Sequence, residues 1–188
     1  MAIAHTLKSC LDQERVPYEL IAHRHTATSL RSAETAHIDA GDLAKAVLLE
    51  DDLEHSHYVM AVLPASYRLV LPEVARRIGR QVHLATEEDA AGLFEDCETG
   101  AIPAVGPAYG VETVVDDSLI AQPEVYFEAG DHEHLVRMKT EDFMRVLGDC
   151  PHGRLAARRS RRRRAPIPRE DIVQPPRRVP LAGLRRSG

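Results

Sequence analysis

Two short apolar runs, Lys45-Ala46-Val47-Leu48-Leu49 and Tyr58-Val59-Met60-Ala61-Val62-Leu63, stand only the polar stretch Glu50 to His57 apart. Neither run alternates, and neither is long enough for a buried helix. Both therefore read as fully buried strands, and their spacing predicts a hairpin at the centre of a sheet. Whatever this chain folds into must cover that hairpin with other elements.

The remaining segments supply the cover. Ile3, Leu7 and Leu11 recur at helical spacing up to Glu14, and Val16 to Ile21 turns into a short strand. Ser29 is placed as the N-cap of a helix running to His37. A helix over Leu71 to Ile78 starts with Pro72 and stops at Gly79. A strand over Gln81 to Leu84 precedes Thr86-Glu87-Glu88-Asp89, a capping-box opening with acids at the positive end of the helix dipole. Strands follow at Glu112–Val115, Glu124–Glu128 and His134–Met138, and Thr140 opens a last helix that ends at Gly148. Helices mixed with strands of both hairpin and crossover type predict an α/β (α+β) domain around a mixed sheet. There is no internal repeat.

Charge divides the chain unevenly. Residues 154–188 carry twelve arginines against Glu170 and Asp171, a net +10, while residues 1–153 hold 12 basic and 27 acidic side chains, a net −15. The overall −5 conceals an acidic body with a basic tail. The tail, placed at residues 151–188, has six prolines and no aromatic residue, and it contains Arg158, Arg159, Arg161, Arg162, Arg163 and Arg164. Such a composition cannot bury enough apolar surface to offset its ordering entropy, so the expectation is disorder, with the body at 1–150 as the folded domain. Three cysteines, Cys10, Cys97 and Cys150, are too few and too odd for a disulfide framework. With no apolar run of membrane length and no secretory signal at the N-terminus, the chain is expected to be soluble and cytoplasmic, with no membrane partner.

Chemistry could sit in three places. Lys45 heads an apolar strand, where its cation can meet a phosphate or a polarised carbonyl, although a strand-end lysine snorkelling into solvent is the commoner case. The loop Gly100-Ala101-Ile102-Pro103-Ala104-Val105-Gly106-Pro107 is stiff and sharply bent, so its N–H groups could form an oxyanion-binding nest, or it could be a plain connection. The pairs His23-x-His25, His55-x-His57 and His132-x-His134 each place two imidazoles on one face of an extended segment. No Cys or carboxylate stands at a metal-ligand spacing beside them, so no metal or other cofactor is expected. Nothing near Cys97 marks it as an activated thiolate. Chemistry here would rest on positioning and electrostatics more than on a covalent intermediate.

The order of these pieces carries more than any one of them. His23-Arg24-His25-Thr26, Leu43 to Leu49, Tyr58 to Pro64, Gly100 to Gly106, Val114-Val115-Asp116-Asp117-Ser118-Leu119 and Val125-Tyr126-Phe127-Glu128-Ala129-Gly130 together resemble the YbaK/ProX family, relatives of the editing domain of bacterial prolyl-tRNA synthetase. The resemblance spans about residues 5–148. It implies a curved mixed sheet flanked by helices and hydrolysis of mischarged aminoacyl-tRNA, chiefly tRNA for proline carrying cysteine, alanine or 2-aminobutyrate. It implies that Lys45 is essential and lies near the tRNA 3′ end. The loop starting at Gly100 and Ala101 would offer N–H groups to the ester carbonyl, and a ribose hydroxyl of the substrate would help place the water. By the same resemblance, His25, Thr26, Thr28, Ile102, Pro103, Gly130, Asp131 and His132 shape the amino-acid pocket. Prolyl-tRNA synthetase is the further partner implied. Where many members have two prolines in the loop, this chain has Pro103-Ala104.

An acidic body is an awkward partner for tRNA, and the arginine tail could supply the missing attraction or be merely solvated. Two other readings compete with the deacylase: a non-catalytic module that binds tRNA or an aminoacyl group, and a His-rich metal-binding protein.

Overall fold

A computed structural model describes residues 2–52 and 57–158. The predicted hairpin is its centre. β2 (Ala44–Asp51) and β3 (Tyr58–Pro64) pair antiparallel from Ala44↔Pro64 to Glu50↔Tyr58. β5 (Val82–Leu84) extends the sheet antiparallel to β2, while β6 (Glu112–Asp116) and β9 (His152–Gly153) add parallel strands beyond β3. The five-stranded order is β5-β2-β3-β6-β9. A second sheet, β1-β8-β7, joins β1 (Glu19–Ala22), β8 (His134–Lys139) and β7 (Glu124–Glu128), all antiparallel. The two sheets meet where Leu43, just before β2, bridges to Tyr126.

Both faces of the central hairpin are covered, as its unbroken apolar character requires. On one face Ala44, Leu48, Met60, Val62 and Val115 join the main core with Leu7 and Leu11 of α1 (His5–Glu14) and with Phe143 and Val146 of α6 (Thr140–Leu147). On the other, Leu49, Val59, Ala61 and Val114 pack with Val74 of α3 (Leu71–Ile78) and with Leu155. The short helices α2 (Ser29–Thr35), α4 (Glu87–Leu93) and α5 (Asp117–Ile120) and the 3-10 turn Gly106–Tyr109 fill the periphery. The mixed sheet flanked by helices matches the expected fold class.

Two sequence placements shift. The N-cap of α2 is Thr28, whose side chain accepts from the Arg31 N–H, so the helix begins one residue earlier than a Ser29 cap implies. The boundary at residue 150 is also too early. His152–Gly153 form β9, and Ala156–Arg158 form β10 against β4 (Tyr67–Leu69). The cause lies in the body. The buried Asp116 Oδ2 accepts the N–H groups of Leu155 (2.8 Å) and Ala156 (2.9 Å), and Leu155 is fully buried. Of the tail arginines, Arg158 belongs to the described fold, whereas Arg159, Arg161, Arg162, Arg163 and Arg164 lie outside the described residues, as does His55.

Candidate active site

β5 pairs only with Leu49–Asp51, so the preceding part of β2 is left by its neighbour, and a cleft of about 510 Å³ opens there. Its floor is Ala46, Val47 and Leu48. One wall is Leu84 to Glu87 with Ala90, Ala91 and Phe94, and the other is Cys97 to Gly100 with Ile102 and Ala27. The first wall takes its shape from the capping box, in which the Thr86 hydroxyl accepts the Asp89 N–H while Asp89 accepts the Thr86 N–H.

The loop after α4 bends as its glycine content demands. Gly100 has φ +90, a region in which L residues are strained. The Ala101 N–H donates to the Glu98 carbonyl at 2.9 Å, and Ala101 and Pro103 are buried away from the cleft lining. The resemblance assigned Ala101 an ester-binding N–H and Pro103 a pocket wall. The structure instead gives Ala101 a turn-closing bond and leaves Gly100 and Ile102 as the loop residues on the cleft. Their N–H groups have no acceptor among the described residues.

Behind Gly100 stands His132. Its Nε2 lies 2.9 Å from the Thr99 carbonyl, and a Cβ on Gly100 would sit 3.5 Å from its Cε1. His25 packs edge-on against it, with ring centroids 5.4 Å apart. Thr26 is buried, its hydroxyl 2.8 Å from that of Ser32, which donates in turn to Glu128 Oε1 at 2.7 Å. Burial pushes the Glu128 carboxyl above its usual range, against the pull of Ser32 and the neighbouring His23 and His132. Gly130, at φ +118, holds the turn: a Cβ there would meet that of Ala4 at 2.8 Å. Asp131 is spent inside the same turn, accepting from the N–H groups of Glu133 (3.1 Å) and His134 (2.9 Å) and pairing with His134 Nδ1. Thr28 is occupied as a helix cap. Of the eight residues expected to shape the pocket, Ile102 lines the cleft, and His132, His25 and Thr26 build the wall behind it.

Lys45 does not line this cleft. Strand alternation puts it on the face opposite Ala46 and Leu48, and its Nζ donates to the Tyr67 carbonyl at 2.7 Å. It sits at the head of β2, directly beside the cleft floor but behind it.

A sequence profile of the aminoacyl-tRNA editing domain matches residues 23–146, which contain the cleft, its loop and the His132 turn. This chain belongs to the aminoacyl-tRNA editing domain family. Solved structures share the editing-domain fold. The hypothetical protein APE2540 superposes with a TM-score of 0.72 at 18% identity, covering 81% of this chain and 100% of that one. A candidate trans-editing enzyme for prolyl tRNA synthetase gives 0.69 at 19% identity, over 82% and 96%. A candidate signal transduction protein from Marinobacter aquaeolei VT8 gives 0.65 at 21%, over 81% of this chain and 30% of that one.

Within this editing domain the cleft carries few titratable groups. Burial raises the Cys97 thiol to about 11, so it stays protonated and unreactive at neutral pH. Glu87 and Glu98 are the carboxylates on the lining. Among the described residues no three His, Cys, Asp or Glu side chains are grouped to hold a metal ion, and no helix is long and apolar enough to cross a membrane. Sequence reasoning missed the wall from Leu84 to Phe94. Its capping box was legible, but nothing in one dimension showed that α4 faces Gly100.

Proposed function

We propose that the chain hydrolyses the ester of a mischarged aminoacyl-tRNA, with the terminal aminoacyl-adenosine seated in the cleft between α4 and the Gly100 loop. The observation that carries this reading is the pair of unengaged N–H groups at Gly100 and Ile102, beside a cleft whose only thiol is held neutral. Water adds to the ester carbonyl, negative charge builds on its oxygen, and backbone donors stabilise that charge without a protein nucleophile. The bond from the carbonyl carbon to the ribose oxygen then breaks, releasing the free amino acid and the tRNA hydroxyl. His132, tied to Thr99, fixes the loop in the conformation this requires.

The small walls at Ala27, Ala46, Ala90 and Ala91 favour a small amino acid. With the family placement and a structural relative that carries a prolyl trans-editing description, tRNA for proline bearing cysteine, alanine or 2-aminobutyrate is the substrate class of choice. Lys45, behind the cleft floor, serves the phosphates of the 3′ end.

The test is deacylation of tRNA for proline charged separately with cysteine, alanine, 2-aminobutyrate and proline, with Lys45→Ala alongside. Hydrolysis of a non-cognate ester, lost in the variant, is the expected result. Binding of tRNA without hydrolysis of any ester would replace the enzyme with a binding module.

A further inference from the structure

The acidic body has one face where cations gather. Arg76 and Arg77 on α3, Arg154 between β9 and β10, and Arg158 on β10 are all exposed. Two grooves connect them. One, of about 210 Å³, is walled by Arg76, Arg77, Gly153 and Arg154, and the next, of about 530 Å³, by Tyr67, Arg154 and Arg158. Arg154 belongs to both walls, so the grooves adjoin at its side chain.

Local structure builds this arrangement. A Cβ on Gly153 would lie 2.9 Å from Arg77 Nε, so the bare glycine lets the guanidinium rest against β9. The Arg158 guanidinium stands over the Tyr67 ring at 5.9 Å, and the Tyr67 carbonyl is the acceptor of Lys45 Nζ. A line of cations thus runs from α3 across β10 to the strand whose next residues floor the cleft. The carboxylates beside it are engaged: Glu73 pairs with Arg76, Asp117 with His152 Nδ1 at 2.8 Å, and Asp116 holds the Leu155 and Ala156 N–H groups. Among the described residues Arg77, Arg154 and Arg158 pair with no carboxylate. Arg80 and Arg137, elsewhere on the fold, are held by acids on two sides.

We propose that this arginine track is the docking surface for the phosphate backbone of the tRNA acceptor arm, which it guides so that the 3′ end reaches the cleft past Lys45. The proposal rests on the deacylase reading for its choice of polyanion. Unpaired guanidinium groups in a row match phosphates at bidentate geometry, and they stand on a body whose net charge over residues 1–153 is −15. The sequence continues from Arg158 into Arg159, Arg161, Arg162, Arg163 and Arg164.

The test uses the full chain with Arg76→Gln, Arg77→Gln and Arg154→Gln combined. A control of equal charge change replaces the exposed Lys8, Arg15 and Lys139 with Gln. Binding of unacylated tRNA for proline is measured across a salt series, and hydrolysis is followed on an aminoacylated CCA trinucleotide, which lacks the acceptor arm. The track variant is expected to bind tRNA about tenfold more weakly at low salt, with a log–log salt slope smaller by about 2 to 3 and trinucleotide hydrolysis kept. Affinity and slope equal to those of the control would overturn the proposal. So would loss of trinucleotide hydrolysis as well, because the substitutions would then act through the fold. If the unmodified chain hydrolyses no ester but the track variant still loses tRNA, the deacylase reading fails and the track stands.

Discussion

The imidazole Nε2 of His132 lies 2.9 Å from the carbonyl oxygen of Thr99, 33 residues away, and so joins the turn after β7 to the loop that carries Gly100. A carbonyl can only accept, so Nε2 is the donor, while Nδ1 is buried and without a partner among the described residues. Removing the ring frees the loop. His132→Ala is expected to slow deacylation by about tenfold to a hundredfold, the cost of a slightly misplaced site. His132→Gln, whose amide can replace the Nε2 donor, should recover part of it. Single-turnover rates on one charged tRNA decide the matter, and equal rates for the Ala variant and the parent would remove His132 from the positioning role.

Glu128 should give the fold a pH dependence. Its folded pKa is raised above the ordinary 4.5, chiefly by burial, so folding favours the neutral acid. The stability it contributes is therefore complete below the unfolded pKa and is lost as pH rises through the folded one. Glu128→Gln keeps an acceptor for Ser32 and carries no charge. The variant is expected to melt higher than the parent at pH 8, with the gap closing toward pH 5. Melting curves at both values are sufficient, and a gap that widens at low pH would reverse the sign.

Asp116 should decide whether the C-terminal strands are held. Asp116→Ala leaves the buried Leu155 and Ala156 donors unmet, at a cost on the order of 3 kcal/mol. Truncation makes the same point without a substitution. A chain ending at residue 158 should unfold at the same denaturant concentration as the full chain. One ending at 153 loses buried Leu155 and should unfold markedly earlier. Equal midpoints for the two truncations would mean that β10 adds nothing.

Gly130→Ala should be among the most damaging single changes. It sets a Cβ 2.8 Å from that of Ala4 at φ +118, combining a backbone penalty with overpacking, together about 3 kcal/mol. Denaturant midpoints measure it directly. Gly79→Ala is the comparison: its φ is also positive at +74, but open space surrounds it, so it should cost only the backbone term.

Much of the scaffold was legible because local rules agree with one another. The β2–β3 hairpin, the capping box at Thr86 and the stop at Gly79 each follow from residues a few positions apart. The N-cap of α2 slipped by one because Thr28 and Ser29 are both good caps and only the side-chain bond to Arg31 chooses between them. The end of the domain was misplaced for another reason. Nothing within residues 151–158 announces a strand, since its main stabiliser is the carboxylate of Asp116, 39 residues earlier than Leu155.

By itself the sequence determined the longer elements, the mixed sheet, the charge division and the segments from which a site could be made, since periodicity, capping and composition act over short range. Only the tertiary structure decided that α4 walls the cleft, that Ala101 is committed to Glu98 while Gly100 and Ile102 are not, and that Lys45 lies behind the cleft floor. Those outcomes depend on which donors and side chains are used up by distant partners. That competition is settled only when the whole chain has packed.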